Sequence, residues 1–215
     1  MQINDWNEQE VKRAEKTWGG KYPQYTKDMF NFALSKGGSF LDLGCGFGRF
    51  LEFLTKNAPE PDWIGYDSSK AMIDRINKRF SDYGLQAFHK DITKPITHPR
   101  DVIVSSAVFI HLSVPDQDKI LNNISVMKPK PRAITFDINC PTETGIVRLN
   151  QRKLDSFERF ITVTRGSKVK FRMTWQSHYR VTKKVLAKFP GYDLKMGFYD
   201  LRGKRHKVVY MLEKR

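Results

Sequence analysis

Residues 40–50 read FLDLGCGFGRF, and the segment IGYD follows at residues 64–67. The apolar residues before Gly44 predict a buried strand, and glycines at alternate positions up to Gly48 predict a tight turn. A helical pattern follows the turn. These segments together predict a strand, a glycine turn, a helix and a second strand that ends in an acid, Asp67.

This arrangement is typical of a site for a nucleoside cofactor. Gly44 and Gly46 let the backbone approach a ligand closely, and the following helix presents its unpaired N-terminal amides there. Asp67 is placed to accept hydrogen bonds from both ribose hydroxyls. Arg49 stands where a dinucleotide fingerprint requires a third glycine, so a dinucleotide is not expected. Alternatively, the glycines only end a strand and Asp67 only caps the next helix.

The D-x-G-x-G-x-G pattern of residues 42–48 resembles that of the class I S-adenosylmethionine-dependent methyltransferases. Three further motifs of that family follow in order. They are GYDSSKAM at residues 65–72, HKDI at residues 89–92 and DVIVSSAVFIHL at residues 101–112. Taken alone, each motif has a purely structural alternative; the acid of HKDI, for example, could simply close a turn.

The resemblance implies a role for particular residues in holding S-adenosylmethionine. Asp67 corresponds to the ribose-binding acid, Asp91 and Ile92 to the residues that meet the adenine, and Met72 or Ser68 to its border. The full expected cofactor set is Asp42, Gly44, Cys45, Gly46, Asp67, Ser68, Met72, Asp91, Ile92 and Ser106, with Tyr22 contributed by the N-terminal segment. In similar enzymes that segment folds over the cofactor, so Tyr22 or Tyr25 is expected to contact the methionine carboxylate or to shape the acceptor pocket. Alternatively, these aromatic residues only anchor the segment to the domain.

The alternation of strands and helices predicts an α/β fold with a doubly wound, mostly parallel, seven-stranded sheet. A C-terminal antiparallel hairpin is expected to close the sheet, and a small β insertion to follow the fifth strand. The predicted strands are 39–43, 62–66, 85–88, 101–105 and 132–138. The predicted helices are 4–18 and 24–36, capped by Asn4 and Thr26, then 47–57, 69–82, 116–126 and about 181–188.

A chain of 215 residues suits one compact domain. We expect an N-terminal helical cap segment at residues 1–38 and a cofactor-binding methyltransferase domain at residues 39–215. The insertion is assigned to residues 141–178, with paired strands at 159–165 and 168–175.

Composition indicates which covalent and metal cross-links and which cellular location to expect. Its two cysteines, Cys45 and Cys140, have neither the spacing of a disulfide framework nor that of a zinc site. No run of about 18 uncharged apolar residues occurs, so a soluble, cytoplasmic protein with no membrane partner is expected. The oligomeric state is not predicted by any pattern.

The chain is basic, with a formal net charge of +15, and the charge is unevenly distributed. Residues 141–215 hold 19 of the 38 Lys and Arg but 6 of the 23 Asp and Glu. The parallel direction implied for the strand at 194–201 would bring its turn, with Arg202 and Lys204, to the rim of the acceptor pocket. Such a rim would suit RNA or another polyanion, or a small acidic molecule, although it could serve only solubility.

Motifs that the sequence lacks limit the types of methyl transfer that we expect. Neither an Asn/Asp-Pro-Pro-Tyr segment for amino methylation of bases nor a Pro-Cys pair for C5 methylation occurs, and the carboxylate cluster of catechol-type enzymes is absent. Metal-independent O- or N-methyl transfer to a small-molecule acceptor is therefore the leading hypothesis, with Tyr25, Arg202 and Lys204 as candidate substrate residues and no metal ligand. His111 is the candidate general base, or else packs against the end of the sheet. The alternatives are a methyltransferase acting on RNA or another polyanion and a non-catalytic cofactor-binding subunit.

Overall fold

The computed structural model of the protein describes residues 7–141, 160–163, 176–200 and 205–215. The strands are β1 (Phe40–Leu43), β2 (Trp63–Asp67), β3 (Gln86–His89), β4 (Val102–Ser105), β5 (Ala133–Pro141), β6 (Phe160–Val163), β7 (Tyr192–Asp200) and β8 (Arg205–Lys214). The helices are α1 (Glu8–Trp18), α2 (Gln24–Lys36), α3 (Arg49–Asn57), α4 (Lys70–Arg79), α5 (Val114–Ser125) and α6 (Gln176–Lys188), with short 3₁₀ turns at Ser81–Tyr83 and Phe109–His111.

The caps of the first two helices differ from the predicted ones. Helix α1 begins at Glu8 because Asn7 forms a capping box with Glu10, in which each side chain accepts a hydrogen bond from the other residue's backbone N–H. The predicted start near residue 4 was therefore wrong. Helix α2 has the predicted bounds, but Thr26 is fully buried inside it and Pro23 precedes its first residue.

All eight strands form one sheet in the order β3-β2-β1-β4-β5-β8-β7-β6. Strands β1 to β5 are parallel to one another, and β8 is antiparallel to both β5 and β7. Strand β7 therefore runs in the same direction as β5, as the resemblance implied. The predicted fold class, a doubly wound and mostly parallel sheet closed by a C-terminal antiparallel hairpin, is confirmed.

The sheet has one strand more than predicted because part of the predicted insertion joins it. Strand β6 pairs antiparallel with β7, with Phe160 opposite Gly197 and Val163 opposite Leu194. The segment predicted at 159–165 thus extends the edge of the main sheet. Its predicted partner strand at 168–175 lies outside the described residues.

Helices cover both faces of the sheet, as the continuous apolar strands indicated. On one face, α5 and α6 pack on a core that includes the fully buried Leu41 and Ile103. On the other face, α2, α3 and α4 pack on a core that includes Val104 and Leu51, which are also fully buried. Because α2 contributes fully buried residues such as Phe30, the N-terminal segment is part of the core.

The carboxyl ends of β1 to β5 and β7 meet at one edge of the sheet. The hairpin β7–β8 returns at this edge, where Arg205 lies opposite Pro141 and His206 lies opposite Asp200. Arg202 and Lys204, the two candidate substrate residues of that hairpin, lie outside the described residues.

Candidate active site

The glycine turn after β1 is tied to the end of β2. Gly44, Gly46 and Gly48 all have positive φ, at 75°, 55° and 89°. The backbone N–H groups of Gly44 and Cys45 both donate to the carbonyl of Tyr66, at 2.8 and 3.0 Å. The turn is therefore held against the neighbouring strand by its own backbone.

Two glycines of the turn differ in what surrounds them. A Cβ atom built on Gly44 would lie 2.3 Å from a methyl group of Val108, so this glycine lets the loop after β4 pack tightly. A Cβ atom on Gly46 would meet no described atom within 4 Å. Gly46 therefore borders open space at the carboxyl edge of the sheet, which is where parallel α/β sheets bind ligands.

Asp67 lies beside this open space at the end of β2. Its carboxylate accepts hydrogen bonds from the backbone N–H groups of Gly46 and Ser69, both at 2.9 Å. Burial raises the pKa of Asp67, and these two hydrogen bonds oppose that increase. Each carboxylate oxygen has a further lone pair, so Asp67 can still accept hydrogen bonds from a ligand.

Asp42 and Cys45, both predicted to contact the cofactor, are almost completely buried. Asp42 lies within β1 and is 3% exposed, and burial, followed by the charge of Asp67, raises its pKa to about 8. Burial also raises the pKa of the free Cys45 thiol. Asp42 is therefore largely protonated at neutral pH and supports the turn from inside the sheet.

The residues predicted to border the adenine are either buried or hydrogen-bonded to neighbouring residues of the chain. Asp91 accepts hydrogen bonds from the backbone N–H and the hydroxyl of Thr93, both at 2.8 Å, so it closes a local turn after β3. Ile92 and Met72 are buried. Ser68 is half-buried, and its carbonyl oxygen lies 2.9 Å from Nε2 of His89.

The loop after β4 lies on the other side of β1 from Asp67. Ser105 is buried, and its hydroxyl donates to the carbonyl of Leu43 at 2.9 Å. The hydroxyl oxygen of Ser106 is also buried and has no hydrogen-bond partner among the residues that the structure describes. An unpaired buried hydroxyl is unfavourable.

Comparison with known proteins is consistent with this geometry. Residues 40–130 match a family model described as a methyltransferase domain. The matched segment contains the glycine turn and Asp67, and the match agrees with the predicted resemblance to S-adenosylmethionine-dependent methyltransferases.

Several solved methyltransferases share the fold. A TehB-like SAM-dependent methyltransferase from Corynebacterium glutamicum is 17% identical, with a TM-score of 0.59 over 97% of this chain and 100% of that chain. Magnesium protoporphyrin IX methyltransferase from Synechocystis, with bound SAM, is 12% identical, with a TM-score of 0.60 over 95% of this chain and 90% of that chain. A SAM-dependent methyltransferase from Aquifex aeolicus is 16% identical, with a TM-score of 0.58 over 96% and 98%. No curated protein sequence gives a significant match.

The protein also contains a buried ion pair that sequence analysis did not predict. Asp137 on β5 pairs with Lys207 on β8, and their side chains are 0% and 4% exposed. Asp137 also accepts a hydrogen bond at 2.6 Å from the backbone N–H of Ala107, which has a φ of 60°. The pair thus holds the loop after β4 in an unusual conformation.

The N-terminal segment contacts this buried ion pair through Tyr25. Lys207 Nζ lies 5.0 Å from the centre of the Tyr25 ring, at the distance of a cation–π contact. Tyr22 packs edge-on against Phe30 and Phe53. Burial raises the pKa of Tyr22 to about 12. Tyr25 therefore faces the polar cluster, whereas Tyr22 has the contacts expected of an anchor.

His111, the candidate general base, lies in the 3₁₀ turn after β4. The residue is exposed, but partial burial of its ring lowers its pKa, and the charge of Lys207 lowers it further while Asp137 opposes the effect. The neutral imidazole is therefore favoured at neutral pH. A neutral ring can accept a proton.

Within the described residues, no group of three or more His, Cys, Asp or Glu side chains is arranged to hold a metal ion. None of the helices in the described ranges has the length and apolar character needed to cross a bilayer.

Proposed function

We propose that the chain transfers a methyl group from S-adenosylmethionine to an oxygen or nitrogen of a small-molecule acceptor, without a metal ion. The observation that carries this proposal is the position of Asp67, whose carboxylate is fixed by two backbone N–H groups beside the open space at Gly46. The unpaired hydroxyl of Ser106 on the other side of β1 fits a ligand that extends across the glycine turn.

In this proposal the ribose hydroxyls bind Asp67, and the adenine lies toward β3. Asp91 would receive the adenine amino group through the carboxylate oxygen that does not bind Thr93. Ile92 and Met72 supply buried apolar surface to the ring, and Ser68 borders it. Gly44, Cys45 and Asp42 shape the turn from below, and the N-terminal segment of residues 1–38 caps the site.

The chemistry needs little from the protein beyond alignment. The sulfonium of the donor activates its methyl group, so the acceptor atom must be held in line with the methyl–sulfur bond while water is excluded. His111 is the proposed base. Its lowered pKa keeps the ring neutral, so it can take the proton of an acceptor hydroxyl during attack, or that of an acceptor ammonium before the freed nitrogen attacks.

A polyanion such as RNA is the alternative acceptor. In its favour, the β7–β8 hairpin brings Arg205 to the carboxyl edge, opposite Pro141, next to the basic segment of residues 201–204. Phosphates bound there would make the affinity strongly dependent on salt.

A non-catalytic cofactor-binding subunit is a further alternative, which measurement of methyl transfer distinguishes from the other two. A cytoplasmic setting is part of the proposal, because Cys45 is a free thiol, as is usual in reducing compartments.

The first test replaces Asp67 and measures binding of S-adenosylhomocysteine by titration calorimetry. Asp67→Asn is expected to weaken binding at least about 10-fold, because the neutral amide lacks the charge and offers one acceptor in place of two. Asp67→Ala is expected to unfold more easily by about 1–3 kcal/mol, since it leaves the N–H groups of Gly46 and Ser69 without their acceptor.

Asp74→Asn is the matched control, because Asp74 is an exposed acid on α4 that pairs with Lys70. It should leave the affinity unchanged. Unchanged affinity in Asp67→Asn would overturn the proposed site. Radiolabelled donor is then incubated with total RNA and with a small-molecule extract. Label in the small-molecule fraction supports the leading proposal, and label in RNA supports the alternative.

A further inference from the structure

Arg49 is a partly buried arginine without an anionic partner. Within the described part of the chain it forms no ion pair, and its buried Nε atom has no hydrogen-bond partner. Its guanidinium donates one hydrogen bond, from Nη2 to the carbonyl of Lys21 at 2.7 Å. The Cζ atom lies 5.8 Å from the centre of the Tyr22 ring.

Other arginines with similar shielding are paired. Arg75 binds Glu15 at 2.6 Å, and Arg79 binds both Glu15 and Glu52, at 3.3 and 3.0 Å. Their side chains are 39% and 29% exposed. A guanidinium taken partly out of water requires such compensation. Arg49 lacks it.

The nearest carboxylates already have cations of their own. Glu52 and Asp137 both act on the charge of Arg49 at longer range. Glu52 is paired with Lys56 and Arg79, and Asp137 with Lys207. Among the described residues, no carboxylate is therefore paired with Arg49 at the carboxyl edge of the sheet.

The position of Arg49 relates this charge to the ligand. Arg49 is the first residue of α3. The N-cap residue before it, Gly48, has no side chain that could accept a hydrogen bond from the first turn. The sheet order places β1 between β2, which carries Asp67, and β4, which precedes Ser106. A nucleoside with its ribose on Asp67 and its base toward β3 must extend its 5′ substituent toward β4 and the start of α3.

We propose that Arg49 binds the carboxylate of the methionine moiety of S-adenosylmethionine. This inference rests on the proposed function and names the group that recognises the amino-acid end of the cofactor. A carboxylate matches the planar fork of a guanidinium, and the dipole of α3 favours an anion near its N-terminus. Tyr22, for which a carboxylate contact was predicted, instead packs beside Arg49 and holds it in position.

The test is a cycle of two proteins and two ligands, measured by titration calorimetry. The proteins are the full chain and its Arg49→Met variant. The ligands are S-adenosylhomocysteine and S-adenosyl-3-thiopropylamine, in which the carboxylate is replaced by hydrogen. Arg49→Met is expected to lose roughly 10- to 100-fold in affinity for the first ligand and less than about 3-fold for the second.

Two further variants complete the design. Arg13→Met removes a guanidinium from the exposed surface of α1 and should change neither affinity. Arg49→Lys keeps the charge but loses the fork, so its affinity for S-adenosylhomocysteine is expected to lie between those of the wild type and Arg49→Met. The carboxylate-free ligand also reports whether the Arg49→Met pocket is still folded.

Each outcome decides the proposal. A loss confined to the ligand with the carboxylate supports it. Equal losses for both ligands would show that Arg49 acts only on the shape of the pocket, and no loss for either would show that the carboxylate lies elsewhere; both results overturn the inference while the cofactor site stands. If the wild type binds neither ligand, the proposed function fails and the inference fails with it.

Discussion

Replacing Lys207 by methionine is expected to destabilise the protein by about 3–5 kcal/mol, because the substitution leaves the Asp137 carboxylate buried without its cation. The two side chains are 4% and 0% exposed, so water cannot replace the lost partner. This cost reflects an uncompensated charge and not the net stabilisation given by the pair, which can be small.

Several contacts of Lys207 set the size of the effect. Methionine keeps much of the apolar stem of lysine, so packing between β5 and β8 is largely preserved. The cation–π contact with Tyr25 is lost, at a cost of about 0.5–2 kcal/mol. The hydrogen bond from Ala107 to Asp137 remains and limits the damage to the carboxylate.

The assay is urea denaturation followed by circular dichroism at pH 7. Lys70→Met is the control, because Lys70 and Asp74 form an exposed pair whose side chains are 70% and 61% exposed. Its cost is expected to be below about 1 kcal/mol. The double variant Asp137→Asn with Lys207→Met should recover most of the loss, since an amide oxygen can still accept the Ala107 N–H and carries no charge.

Two results would refute this reasoning. One is a loss in Lys207→Met no larger than that in the Lys70→Met control. The other is a double variant no more stable than Lys207→Met alone, because that would show that the buried charge of Asp137 is not the cause.

Two further predictions concern the glycine turn and the strand beneath it. Burial and the charge of Asp67 raise the pKa of Asp42 from 3.8 to about 8, so its contribution to stability is full below about pH 4 and is lost as the pH rises through 8. Between these two pH values Asp42 should make the unfolding free energy of the wild type fall by up to about 1.4 kcal/mol per pH unit, and Asp42→Asn should remove this contribution. Equal slopes for the two proteins in pH-dependent denaturation would contradict this prediction. Gly44→Ala should cost about 2–4 kcal/mol through backbone strain and a clash with Val108, whereas Gly46→Ala should cost about 1–2 kcal/mol and mainly weaken binding of S-adenosylhomocysteine. Denaturation and calorimetry separate the two, and equal stability losses would show that the packing against Val108 does not matter.

Much of the parallel sheet could be predicted because its signals are local. Continuous apolar segments indicate strands covered on both faces, and the glycine turn locates the end of β1. The position of Asp67 followed from the same logic, since an acid at the end of a parallel strand must lie at the ligand-binding edge. The burial of Asp42 could not be predicted in this way. A strand that is buried on both faces shows no alternation of polar and apolar residues from which to infer that its acid points into the core.

The insertion was harder to predict for a related reason. The pattern at residues 159–165 correctly indicated a strand, observed as β6 at Phe160–Val163. Its predicted partner at 168–175 lies outside the described residues, and the additional pairing with β7 was not predicted, because β7 was assigned only to the C-terminal hairpin. Pairing between strands that are distant in sequence depends on which edge of the folded sheet is free, and no local sequence pattern encodes that edge.

The contact between Gly46 and Asp67 could be predicted and the Asp137–Lys207 pair could not, because the contacting residues are separated by very different lengths of chain. The contact between Gly46 and Asp67 spans 21 residues and lies within one strand–helix–strand unit, so a motif can capture it. The Asp137–Lys207 pair spans 70 residues, and the hydrogen bond from Tyr199 to Asp28 spans 171. In sequence Asp137 is the one charged residue of β5, whereas Lys207 is one of several charged residues of β8, so the partners are recognisable only once the register is known. Because the Asp137–Lys207 pair and Tyr25 come from β5, β8 and the N-terminal segment, substitutions there can change the proposed acceptor pocket without touching the turn that is proposed to hold the cofactor.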